Sequence, residues 1–350
     1  MRVTIVAMTI GFGSAPYAEM LPQAIGKYAT ANLVAPEHFK GDVTGFELTR
    51  FRTGLSPSQS LRQSLKPWSH YDLIRKIGNT KPDIVHILNG YGYPWSLTAA
   101  AALKVPVITT LHDPTPHPGN RTDAVQSMLG RFTLWRSAAI HIHNDIFRAE
   151  TERRLPGKPI YVIRHPSFAS RYLKHARPDI VRKRKVLFFG RVEHYKGIEP
   201  LLRAAAILPP DVTMTIAGAG PLSEIELSLA DALGPRLTLL NRFIEDDEAA
   251  LQLQEAGVLA MPYLHATQSS LPLIAAAFGL PVVASAVGTF VEEVPALGGI
   301  LVPPGNPQAL AGALVHQLNT PQAINNDQKT FDDLAPEFMN MYRKVTAKCH

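Results

Sequence analysis

Arg191 and Lys196 stand in the run GRVEHYKG, directly after the apolar stretch KVLFF. A strand that ends in such a run and gives way to a helix leaves both cations at its carboxyl end. There two basic side chains can grip a diphosphate. A second polar run, ATQSSLPL, follows the apolar stretch VLAM and opens an Ala-rich helical segment. Gln268, Ser269 and Ser270 bring amide and hydroxyl groups to that helix start, and Pro272 suits its first turn. Unsatisfied backbone N–H groups at such a point make a phosphate site. In the first half, His86, His112, His141 and His143 lie at or near the ends of apolar runs. In a parallel sheet those ends share one edge, so His112, His143 and the loop of residues 89–93 can converge on one cleft. A three-His metal site lacks the helical His pairing or acidic ligand spacing that would support it, so no metal is expected. His112 reads as functional, and His86 and His141 as satisfied structural histidines.

These residues need a scaffold of alternating strands and helices, and the chain supplies one. Apolar runs at residues 3–8, 31–34, 46–51, 84–88, 105–111, 138–143 and 159–163 alternate with helical stretches. A second series begins at residue 185. The alternation predicts doubly wound parallel sheets, in which ligands bind beyond the strands' carboxyl ends. At 350 residues two domains are expected. Their expected bounds are 1–167 for the first, 168–184 for an Arg-, Lys- and Pro-rich linker, and 185–330 for the second. A helix over 331–350 is placed to cross back to the first domain. Gly11 and Gly13 form a tight turn after the first strand, but Pro16 stands where a dinucleotide fingerprint needs its third glycine. A nicotinamide-dependent enzyme is thereby disfavoured. Asp246 and Asp247 read as helix caps.

Composition narrows the class further. Hydrophobic residues make up 46% and charged residues 18%, which fits a globular chain with ample core. Cys349 is the single cysteine, so no internal disulfide framework or Cys-based zinc site is expected. Residues 1–8 read as a strand and not as a signal sequence, and no apolar run approaches a membrane span. Residues 1–178 hold 22 Lys and Arg against 11 Asp and Glu, whereas residues 179–350 hold 13 against 18. A basic half joined to an acidic half reads either as a face that meets an anionic partner or as a solvated, mildly basic surface. Nucleic acid lacks an aromatic-plus-basic binding motif here, while a membrane surface or lipid phosphate fits. The basic stretch of residues 62–81, carrying Trp68 and Tyr71, reads either as a surface helix packing Leu73 and Ile74 inward or as a membrane-facing one.

Taken in order, the motifs GFG, PDIVHI, VITTLHD, HPS, FFGRVEHYKGIEPLL, IAGAGP, ATQSSLPL, GLPVVASAVG and ILVPPGNPQAL resemble those of the retaining, nucleotide-sugar-dependent glycosyltransferases of family 4. The resemblance spans nearly the whole chain. It implies an α/β protein of the GT-B fold, two facing Rossmann-like domains with an interdomain cleft. It implies a glycosyl (hexosyl) transferase that moves a sugar from a UDP- or GDP-sugar to a glycan or lipid-linked acceptor, without cofactor or metal. By the same resemblance Arg191 and Lys196 bind the diphosphate and His112 meets the donor sugar. Gly11 and Gly13, with Gly218 and Gly220, approach the donor, and Thr267, Gln268, Ser269, Ser270 and Leu271 hydrogen-bond it. The family usually carries two glutamates eight positions apart, which here fall on Ala266 and Ile274. This ATQS variant leaves ribose recognition, and so the nucleotide, open. The implied setting is bacterial surface or exported polysaccharide synthesis at the cytoplasmic face of the plasma membrane, with peripheral contact through the basic half. The alternative is a non-catalytic GT-B subunit that binds a sugar nucleotide without turnover.

Overall fold

The computed structural model describes residues 1–10, 14–112, 123–266, 269–320, 324–326 and 328–348. The chain divides into two compact units, one of residues 1–166 and 329–350, the other of residues 167–328. The first unit holds strands β1 (Arg2–Ala7), β2 (Thr30–Pro36), β3 (Glu47–Phe51), β4 (Ile84–Asn89), β5 (Val107–Thr110), β6 (Ala139–Ile142) and β7 (Ile160–Val162). They form one sheet in the order β3-β2-β1-β4-β5-β6-β7, and every pairing is parallel. The central strands are buried throughout: β4 along its whole length and β1 from Val3 to Ala7. Continuous apolar strands of this kind need helices on both faces. On one of them Val6, Met8, Val34, Phe51, Leu73, Ile77 and Trp95 form a single core.

The second unit holds β8 (Lys185–Phe189), β9 (Thr213–Ala217), β10 (Leu237–Leu240), β11 (Val258–Met261), β12 (Val282–Ser285) and β13 (Ile300–Val302). Their order is β10-β9-β8-β11-β12-β13, again all parallel. In each sheet the order reverses once, beside β1 and β4 in the first and beside β8 and β11 in the second. Those switch points are where open parallel sheets bind ligands, because neighbouring crossovers leave toward opposite faces.

Local chemistry accounts for several differences from the sequence reading. The basic stretch of residues 62–81 is two helices, Pro57–Ser64 and Pro67–Asn79, because Pro67 opens a new first turn where its missing N–H is harmless. Leu73 and Ile77 are its fully buried residues, and Ile74 packs at the rim of the core. Residues 168–184 include the short helix Ser170–Leu173 and lie on the second unit. Arg171 donates to Asp246 at 2.7 Å and Lys185 bonds Glu255 at 2.8 Å. Asp246 thus holds Arg171, and Glu245 occupies the N-cap position of the helix Asp246–Glu255. Among the described residues no helix is long and apolar enough to cross a membrane.

The helix Phe331–Ala347 belongs to the first unit and packs on the helix Ser14–Gly26. A capping box starts it, with Thr330 and Asp333 exchanging side-chain and backbone bonds. Tyr342 is completely buried, and its hydroxyl lies 2.8 Å from His86 Nδ1. Tyr342→Phe would leave that buried nitrogen without its donor and should lower stability by about 1–3 kcal/mol. All three tryptophans, Trp68, Trp95 and Trp135, lie in the first unit, so a urea titration read by Trp fluorescence measures the loss there.

Candidate active site

In the second unit the site begins at the end of β8. Gly190 follows with φ 124°, and the chain turns through Arg191, Val192 and Glu193 into the 3-10 turn His194–Lys196. Two neighbouring loops close on this turn. Gly190 N–H donates to Ala217 O and Val192 N–H to Ala219 O, both at 2.9 Å, which ties the β9 exit to the β8 exit. A Cβ on Gly218 would stand 1.9 Å from Gly190 O, and one on Gly220 1.9 Å from Val192 O. These two glycines permit backbone contact with the cationic turn, which is the role the geometry gives them. From the other side Leu264 N–H donates to Tyr195 O at 2.7 Å, and Gly197 packs under Pro262 O.

Lys196 reaches back over this junction. Its Nζ donates to Tyr263 Oη at 2.9 Å and lies 4.7 Å from the centre of the same ring. An ideal Cβ on Gly190 would meet Lys196 Nζ at 3.3 Å and Leu271 Cδ1 at 3.8 Å, so ammonium and helix start share one small neighbourhood. Arg191 is about half exposed and its Nη1 pairs with Glu193 Oε1 at 2.5 Å. Burial, with Glu193 beside it, pushes the Tyr195 phenol well above its ordinary value. Ser269 Oγ accepts from Leu271 N–H at 3.3 Å, while Ser270, the N-cap residue, makes no side-chain cap bond. The helix Leu271–Ala277 carries Pro272 in its first turn. Ile274 is 2% exposed and packs into the core, so no polar group stands at that position. Thr267 and Gln268 lie outside the described residues, as do Gly11 and Gly13 in the first unit.

At the switch point of the first unit, Asn89 Oδ1 accepts from Met8 and Thr9 N–H at 2.9 and 3.1 Å, and its Nδ2 donates to Thr9 O at 2.9 Å. Asn89 thereby holds the chain leaving β1. His112, just past β5, does meet His143, just past β6: His143 Nε2 lies 3.1 Å from His112 Nδ1. His112 Nε2–H donates to Leu88 O at 2.8 Å, and His143 Nδ1 lies 3.3 Å from Ile163 O, so His143 bridges His112 to that carbonyl. Both ring nitrogens of His112 are thus engaged within this unit, at the end of β4.

Behind them runs a buried row whose direction is set by its terminal acceptor. His141 Nε2–H donates to Ile163 O at 3.2 Å, so His141 Nδ1 accepts from Thr110 Oγ1 at 3.0 Å. Thr110 then accepts from His86 Nε2–H at 2.7 Å, and His86 Nδ1 accepts from Tyr342 at 2.8 Å. One proton per ring satisfies every member. Burial holds His86 and His143 well below the usual histidine range, His141 at about 3 and His165 at about 4. Among the described residues no group of His, Cys, Asp and Glu has metal-holding geometry.

Tyr263 and Glu193, the partners of the two cations, escaped the sequence reading. Glu193 lies within the same motif, and Tyr263 lies just past an apolar run, but nothing in the chain connects Tyr263 to a residue 67 positions earlier.

Acid should loosen the first unit. A ring whose folded pKa is depressed leaves stability intact above about pH 6.5 and loses it as pH falls toward the folded value. Near pH 5 each such ring, His141 and His165 among them, should remove roughly 1.4 kcal/mol per pH unit. Urea titrations read by Trp fluorescence at pH 7, 6 and 5 would show the summed slope, and His141→Asn should lower it by roughly 1.4 kcal/mol per pH unit.

Comparison with known proteins places this geometry. A family model described as Glycosyltransferase Family 4 matches residues 33–166, and one described as Glycosyl transferases group 1 matches residues 183–320. An uncharacterized glycosyltransferase of Methanocaldococcus jannaschii is 29% identical over 175 residues, 46% of this chain and 45% of that protein. Glycogen synthase of Mycobacterium tuberculosis is 26% identical over 267 residues, 71% of this chain and 64% of that protein. The chain therefore spans less than two thirds of the length of these relatives. The crystal structure of Anabaena HepE in complex with UDP-glucose has a TM-score of 0.69 at 16% identity, covering 100% of this chain and 98% of that one. At that identity the likeness establishes the fold.

Proposed function

We propose that this chain, a GT-B-fold protein whose halves match glycosyltransferase family models, transfers a sugar from a nucleoside-diphosphate donor to an acceptor hydroxyl with retention at the anomeric carbon. The observation that carries the reading is Lys196, held by Tyr263 against Gly190 at the second unit's switch point with Arg191 on the same turn. Two cations on a glycine-lined turn suit the diphosphate and offset the charge that grows on it as the bond breaks.

In this step the acceptor oxygen attacks the anomeric carbon on the face the diphosphate leaves. The bond from that carbon to the phosphate oxygen breaks, the new glycosidic bond forms, and the acceptor proton passes to the departing phosphate. No carboxylate nucleophile is required. Arg191 and Lys196 hold the leaving group; the role of His112 toward the donor sugar is what the family resemblance implies, and within its own unit Leu88 O and His143 fix its ring. The backbone at Ser270 and Leu271 would supply further hydrogen-bond donors, Leu271 N–H exchanging its Ser269 Oγ partner for the sugar nucleotide. The UDP-glucose complex of HepE supports a UDP-sugar, with a GDP-sugar as the competing donor. A glycan or lipid-linked acceptor in bacterial surface or exported polysaccharide synthesis, at the inner face of the plasma membrane, fits the basic first unit.

A second reading, a subunit that binds a sugar nucleotide without turnover, is favoured by Ala266 and the buried Ile274 where carboxylates are usual in the family. Nucleotide release from UDP- and GDP-sugars, with membrane extract as acceptor, separates the two. Release supports transfer, whereas tight nucleotide binding with no release from any donor supports the binding subunit. Lys196→Ala should lower kcat/KM by about a hundredfold, the loss of one charged contact made to a leaving group. Unchanged activity would remove Lys196 from the phosphate site. Glu193→Gln removes the negative charge paired with the half-exposed Arg191 and should tighten UDP binding about two- to fivefold by calorimetry.

A further inference from the structure

The helix Asp123–Arg136 turns large apolar residues outward. Met128, Phe132 and Trp135 recur at helical spacing and so form one stripe. They are 53, 53 and 61% exposed, while Thr133 and Leu134 face the interior. Scattered exposed apolar residues are ordinary, but a stripe with two aromatics on one helix is not. Arg131 and Arg136 flank it, both exposed, with the Arg136 guanidinium 6.0 Å from the Trp135 ring centre. From residue 124 to residue 144 the chain has no acidic residue.

The helix Pro67–Asn79 repeats the pattern. Trp68 and Tyr71 are 65 and 71% exposed, Leu65 before them 67%, and Lys66 Nζ lies 5.7 Å from the Trp68 ring centre. Residues 57–81 hold five bases against one acid, Asp72, which Arg75 and Lys76 engage at 3.2 and 2.8 Å. The helix Pro94–Ala102 packs against both of these helices, so the two belong to one layer on the first unit's sheet.

We propose that the outward stripes of these two helices form a docking surface for an anionic lipid bilayer. Tryptophan, tyrosine and phenylalanine enter the headgroup boundary with their apolar bodies, while arginine and lysine stay with the lipid phosphates. An acidic protein partner would need a shaped, packed contact, whereas aromatics spread over two helices with bases between them suit a fluid anionic surface. This inference deepens the lipid-linked acceptor reading given above and assigns that reading a surface.

The test is co-sedimentation of the full chain with vesicles of phosphatidylcholine alone and of phosphatidylcholine mixed with phosphatidylglycerol. The chain should bind the mixed vesicles and much less the neutral ones, and raised salt should release it. Phe132→Ser with Trp135→Ser, and separately Arg131→Gln with Arg136→Gln, should each weaken binding roughly tenfold or more. All four positions are exposed, so the variants should keep the urea transition of the parent. Failure to bind mixed vesicles, equal binding to neutral ones, or variants that bind like the parent would overturn the proposal. Self-association lost in the aromatic variant, without vesicle binding, would assign the face to a second copy and overturn it too. UDP binding measured on the same samples keeps the readings apart. Vesicle binding without UDP binding defeats the donor site alone, and UDP binding without vesicle binding defeats the surface alone.

Discussion

Backbone meets backbone at the carboxyl ends of β8, β9 and β11, and the second unit's site depends on that contact. Gly218 and Gly220 lie so close to the carbonyls of Gly190 and Val192 that any Cβ would overlap them. Gly197 stands in the same relation to Pro262 O. With side chains removed from these approaches, the hydrogen bonds from Gly190 and Val192 to the β9 exit can form. Lys196 then reaches Tyr263 across the turn instead of extending into solvent. A charged side chain held by a phenol and a ring face has already given up part of its rotational freedom, so less is lost when it meets a phosphate.

The first unit solves a different problem. Its sheet buries histidines that must each find partners, because an unmatched polar group in a dry interior costs more than a matched one returns. The row from Tyr342 through His86, Thr110 and His141 to Ile163 O meets that demand with one proton per ring. Its first member comes from the far end of the chain, so the same bonds that satisfy the core also tie the last helix to it. His112 and His143 sit in front of this row, and their orientation is inherited from Leu88 O and the packed rings around them.

Much of the fold was legible in the chain because its signals are local. Apolar runs followed by glycine turns and helix starts mark parallel strands, and the described strands fall within or beside those runs. Pro67 carries a local signal as well, a helix start inside what periodicity alone reads as one stretch. The cations at 191 and 196 were legible by position, at the end of one strand and the start of one helix.

What the sequence by itself determined is therefore the alternation, the residues at strand ends, and the charge contrast between the two halves. Each follows from neighbours a few positions apart. Tertiary structure alone decided the strand order, and with it which ends become switch points. It paired Lys196 with Tyr263 and His86 with Tyr342, and it turned Trp135 and Trp68 outward while burying Trp95. These outcomes depend on contacts between distant segments, and a one-dimensional pattern carries no term for such contacts. For that reason the cations at 191 and 196 were legible in the chain, and only the folded sheet showed that Glu193 and Tyr263 are their partners.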